Sequence, residues 1–130
     1  MSNMRRQAIN ATDAPQAVGG YAQAVEVTAA QRLLFISGQI PVRADGTMPS
    51  TFKEQARVAW GNVEAQLRAA SMSLDNLVKV TIFLSDRAYG LENREIRREV
   101  FGERSIALTV IITGIFDAAW LLEIEAVAAA

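Results

Sequence analysis

The chain contains neither cysteine nor histidine. Without cysteine there are no disulfides, thiolate nucleophiles or cysteine metal sites, and a disulfide-stapled secreted fold is excluded. Without histidine, Ser–His and Cys–His catalysis and the commonest transition-metal ligand are excluded as well. Chemistry must come from carboxylates, hydroxyls, lysine, arginine and backbone groups, and no metal or cofactor is expected. Charge of one sign is also lacking. A net charge of -1 supplies no long-range field to gather nucleic acid or an anionic membrane. The longest apolar run, Ile106 to Phe116, is broken by Thr109, Thr113 and Gly114 and is too short to span a bilayer. The start, MSNMRRQAINATDAPQAVGG, carries arginines with no apolar segment behind them, so it does not read as a secretory signal. The expectation is a soluble, cytoplasmic protein that takes neither nucleic acid nor membrane as partner.

About half of the 130 residues are hydrophobic, which suffices for one domain with a real core, spanning 1–130. YAQAVEV at 21–27 alternates, RLLFIS follows at 32–37 after a short polar turn, and the two read as a β-hairpin. The next stretch, 38–50, is rich in turn residues. Thr51 followed by Glu54 has the spacing of a capping box. Phe52, Ala56, Ala59, Val63, Leu67 and Ala70 then recur at helical intervals, which predicts a helix to about Ser71. Residues 76–86 alternate and are β-branched, which predicts a strand. A shorter, highly charged helix over 90–103 stops near Gly102, and two further strands, IALTVIITG and WLLEIEAVA, flank a loop around Asp117.

The order ββαβαββ predicts an α+β domain with one mixed sheet and two helices on one face. The strand from Ile106 to Thr113 is apolar on both sides, with Leu108, Val110 and Ile112 opposing Ala107 and Ile111. Two helices cover only one face of a sheet. The other needs a partner, and a second copy of the chain is the expected one.

Several stretches together resemble a known family: APQAVGGYAQAV at 14–25, ISGQIP at 36–41, LDNLVKVTIFLSD at 74–86, VFGE at 100–103 and LEIEAVA at 122–128. In this order and spacing they are similar to the Rid family of reactive intermediate deaminases, also called YjgF or L-PSP endoribonuclease-like. The resemblance implies a chorismate-mutase-like α+β fold and a homotrimer with ligand clefts between subunits. It also implies water addition to reactive enamines or imines, releasing ammonia. By the same resemblance Tyr21 and Asn93 line the cleft and Glu123 acts on water. The family's carboxylate-holding arginine, reached by counting back from Glu123, falls on Leu108.

A guanidinium grips a carboxylate through two charge-assisted hydrogen bonds, and leucine offers neither charge nor donor. Deamination of small 2-imino acids is therefore expected to be weak or absent, and Leu108 would make the cleft apolar for a larger or less charged ligand. Arg43, Arg87, Arg94, Arg97, Arg98 and Arg104 are substitutes by number alone, and those around the second helix read as a solvated face with local pairs such as Glu95 to Arg98. Ser37 and Thr109 are candidate hydrogen-bond donors for the cleft. Lys79 reads as a solvated strand lysine, Glu125 as a structural acid, and Trp60 and Met72 as packing. Two functions follow as expectations. One is a deaminase or hydrolase of an imine or enamine metabolite other than small 2-imino acids. The other is a trimer that binds a small metabolite or a partner protein without chemistry. Endoribonuclease activity is not expected, since the chain has no histidine, basic patch or aromatic stacking motif.

Overall fold

In the computed structural model, which describes residues 3–130, Thr51 caps the longer helix. Its Oγ1 accepts the Glu54 N–H at 3.4 Å, which is one half of the reciprocal pair that the spacing predicted. That helix, α1, runs Phe52–Ala69. The second, α2, spans Gly90–Phe101 and ends at Gly102, whose φ of +57° lies in the left-handed region that glycine adopts without strain.

The strands are β1 Arg5–Ile9, β2 Ala24–Thr28, β3 Leu33–Gln39, β4 Leu77–Leu84, β5 Ala107–Ile112 and β6 Leu122–Ala129. The last four form one mixed sheet in the order β3-β6-β4-β5, with β4 and β5 parallel and the other pairs antiparallel. Strands β1 and β2 make a separate antiparallel pair. The N-terminal hairpin expected from sequence is thus corrected. The partner of β2 is β1, in a stretch to which no strand was assigned from sequence, and β3 pairs with β6 instead. The turn after β2, Ala29-Ala30-Gln31, carries none of the Asn-Gly or Gly-Gly chemistry of a tight hairpin. Beyond it, hydrogen bonds between Gln31, Arg32 and Ala130 fasten β3 to the C-terminal strand.

Helix α1 lays Phe52, Ala56, Ala59, Trp60, Val63 and Leu67 on the sheet, where they meet Val80, Ile82 and Leu84 of β4 and Leu122, Ile124, Ala126 and Ala128 of β6. Helix α2 adds Ile96 and Phe101 to the same cluster. Trp60 meets Phe101 edge to face at 5.9 Å. Each such large apolar side chain contributes about 1.5–3 kcal/mol through burial. Among the described residues no helix packs on the opposite face of the sheet, and there Leu33 is 60% and Phe35 73% exposed. Among the described residues no helix is long and apolar enough to cross a membrane.

Candidate functional site

Strand register decides which side chains can meet. Phe83 lies opposite Glu123, Thr81 opposite both Glu125 and Thr109, and Phe35 opposite Val127. Because side chains alternate along each strand, Ser37, Lys79, Thr109, Glu123 and Glu125 all point away from the helices. Glu123 leans over Gly38, which lies where the β3–β6 register breaks between Ile36 and Gln39. A Cβ on Gly38 would stand 2.7 Å from the Glu123 Cδ and 2.9 Å from its Cγ, and closer still to Oε1. Glycine here makes room for the carboxylate. Four residues farther along the same face, the Lys79 Nζ donates to Thr109 Oγ1 at 2.6 Å. A depression of about 320 Å³ on this face is lined by Phe35, Ser37, Lys79, Thr81, Glu125 and Val127. Lys79 and Glu125, read from sequence as solvated and structural, both line it. Among the described residues no group of carboxylates comes together as a metal site.

The remaining candidates lie on the helix side. Leu108 pairs with the fully buried Val80 and packs against the core cluster, so it shares no face with Glu123. The β5 residues that do share that face are Ala107, Thr109 and Ile111, and β5 contains no arginine. Tyr21 also packs against the core, its segment held to β5 by the Ala22 N–H donating to the Ile106 carbonyl at 3.0 Å. Asn93 is 3% exposed on α2.

One turn after Asn93, Arg97 is only 5% exposed, which corrects its reading as part of a solvated face. Its Nη2 donates to the Gly19 carbonyl at 2.6 Å, while its Nε is buried with no partner. Burial pushes its guanidinium below the ordinary arginine value, Arg94 and Arg98 push the same way, and Tyr21 pushes back. The acids of α2 pair elsewhere: Glu95 with Lys53 at 2.7 Å and Glu99 with Arg57 at 3.3 Å, both across to α1. Glu95 thus pairs with Lys53 of α1 and, among the described residues, not with the expected Arg98. The candidate residues thus fall into two groups on opposite faces of the sheet, with Ser37, Thr109 and Glu123 on one and Tyr21, Asn93 and Leu108 on the other. Gly38 was missed, and Arg97 was named only as one of six arginines by number. A glycine inside a strand and a second polar residue four positions after Asn93 were the available signals.

Two helices on one face of a mixed sheet define an α+β fold shared with solved proteins. A Rid-family protein of Yersinia pestis, YyfB, superposes with a TM-score of 0.83 at 23% identity over 96% of this chain and 98% of that one. Residues 11–130 match the endoribonuclease L-PSP family. A RutC family protein of Pyrococcus horikoshii is 34% identical over 95% of this chain and 97% of its own. The mouse 2-iminobutanoate/2-iminopropanoate deaminase is 38% identical over 66% of this chain and 63% of its own. The chain belongs to the L-PSP endoribonuclease family, the Rid and RutC proteins.

Proposed function

We propose that this protein is a hydrolytic deaminase of a reactive imine or enamine metabolite other than small 2-imino acids, working in clefts between the copies of a cytoplasmic homotrimer. The observation that carries the reading is Glu123, whose carboxylate has a glycine-made seat beside Ser37 on the open face of the sheet. The mouse relative, named for deamination of 2-imino acids, supports the reaction class. The two groups of candidate residues lie on opposite faces of one sheet, so a cleft that uses both must be built from two copies. The exposed Leu33 and Phe35 give those copies apolar surface to bury.

In this reaction Glu123 takes a proton from water as the oxygen bonds to the imine carbon. The C=N electron pair moves to nitrogen, which takes that proton from the carboxyl to give a neutral carbinolamine. On collapse the carboxylate accepts the hydroxyl proton and passes it to nitrogen as the C–N bond breaks, leaving a carbonyl compound and ammonia. An enamine enters the same path after protonation on carbon. The absence of arginine from β5 argues against 2-iminopropanoate as the preferred substrate.

The test is ammonia release from imines generated in situ by an amino-acid oxidase, from alanine and from amino acids with larger side chains. Acceleration is expected for larger imines and little for 2-iminopropanoate. Glu123→Gln should lower the rate by about 10²-fold or more while leaving the particle mass unchanged. Undiminished turnover in that variant removes the role of Glu123. No acceleration of any imine, with a ligand still raising the melting temperature, would favour the non-catalytic binding function instead.

A further inference from the structure

Arg97 is a buried cation without a counter-ion. Among the described residues the ion pairs are Lys53–Glu95, Arg57–Glu99 and Arg104–Asp75, and none includes it. Of its donors, one is tied to the Gly19 carbonyl and the buried Nε meets nothing. Arg94 and Arg98 stand near enough to oppose its charge, and Arg94 lies against the same Gly19 as Arg97. A charge taken out of water is normally paired, because leaving it unpaired costs several kcal/mol. Asn93 lies four residues earlier on the same face of α2, also buried, and Tyr21, on the loop after Gly19-Gly20, lies near enough to act on the Arg97 charge. Neither the Asn93 amide nor the Tyr21 hydroxyl spends a hydrogen bond among the described residues.

We propose that Arg97, flanked by Asn93 and Tyr21, holds a carboxylate of the ligand. The proposal rests on the deaminase reading and deepens it, since it restores an anion-binding arginine from α2 where β5 offers none. It makes the substrate a carboxylate-bearing imine whose acid group is held from α2 and not from β5. The guanidinium fork suits the planar oxygens of a carboxylate, and a neighbouring amide and phenol can donate to the same group.

Binding without turnover tests it. Thermal shift and calorimetric titration of the full chain would use phenylpyruvate, 4-methyl-2-oxopentanoate and pyruvate, each beside its methyl ester. At least one free acid should bind saturably and its ester should not. Arg97→Gln should weaken that binding by about tenfold or more. Arg97→Lys should recover part of it, and Arg98→Gln, on the exposed side of α2, none of the loss. Tyr21→Phe, which keeps the ring and its packing, should weaken binding severalfold and serves if Arg97→Gln does not fold. Acids that bind the native and Arg97→Gln proteins equally, or that bind neither, overturn the proposal. So does a change in particle mass on Arg97→Gln with acid binding intact, which would assign Arg97 to a carboxylate of a neighbouring copy. Glu123→Gln separates the two readings. If it abolishes turnover but keeps acid binding, both stand, and if turnover survives while Arg97→Gln still loses the acid, only the role of Glu123 falls.

Discussion

The Glu123 carboxylate lies against the Cα of Gly38, on the neighbouring strand, with no space for a side chain between them. Positions 38 and 123 are therefore not independent. A β-bulge in β3 brings the backbone under the acid, and the glycine is required by close approach rather than by its backbone angle.

Gly38→Ala is expected to destabilise the fold by about 1–3 kcal/mol and to swing Glu123 off its seat. Urea unfolding of Gly38→Ala, Glu123→Ala and the double variant measures the coupling. The double variant should recover most of the stability lost in Gly38→Ala, because the clash is with that side chain. Additive losses would mean that the contact does not constrain the strand.

Two adjacent substitutions in β5 should fail differently, since one step along a strand reverses the face. Leu108→Arg turns a guanidinium toward the core beside Val80 and should lower stability by about 1–3 kcal/mol. Thr109→Arg points to the open face, breaks the Lys79 hydrogen bond and should leave the circular dichroism spectrum unchanged while altering particle mass. If Leu108→Arg is tolerated and gains deaminase activity toward 2-iminopropanoate, the side chain reaches the cleft after all.

The sequence carried the local part of this structure. The Thr51 cap, the helical recurrence from Phe52 to Leu67, the alternation of β4 and the stop at Gly102 are written in neighbouring residues, and each appears where expected. The pairing of strands is not local. Strand β1 is exposed at most of its positions, so it shows no alternation to read, and the choice of β6 over β2 as partner for β3 spans most of the chain. The site follows the same division. Tyr21, Asn93 and Glu123 came from likeness to a family, not from pattern. The burial of Arg97 depends on a loop more than 70 residues earlier lying over α2, which no charge count on the helix reveals.

Gln55 should prove more important to stability than any surface charge. It is 1% exposed, and its amide donates to the carbonyls of Pro49 at 3.0 Å and Ala119 at 3.1 Å while its Oε1 accepts the Leu121 N–H at 2.9 Å. One side chain thus ties the segment before α1 to the connection between β5 and β6. Gln55→Leu fills similar volume but leaves those backbone groups unpaired, for an expected loss of about 2–3 kcal/mol in denaturant unfolding. A loss under about 0.5 kcal/mol would mean that water replaces the amide.

The Lys53–Glu95 pair between the helices gives a pH test with a defined sign. Lys53 holds the Glu95 carboxyl below its ordinary 4.5, chiefly through their hydrogen bond and then through charge, and Glu95 holds Lys53 above its ordinary 10.5 for the same reasons. The depressed acid contributes stability fully above its unfolded value, and that contribution is lost as pH falls through the folded one. The raised lysine contributes fully below its unfolded value, and loses it as pH rises through the folded one. The gap in melting temperature between the native protein and Glu95→Gln should therefore be level across the neutral range and close on both the acid and the alkaline side. Both groups are solvated, so the gap should be small and shrink further as salt screens the pair. A gap that persists at acid pH, or that ignores salt, would show that Glu95 acts through packing of its stem and not through its charge.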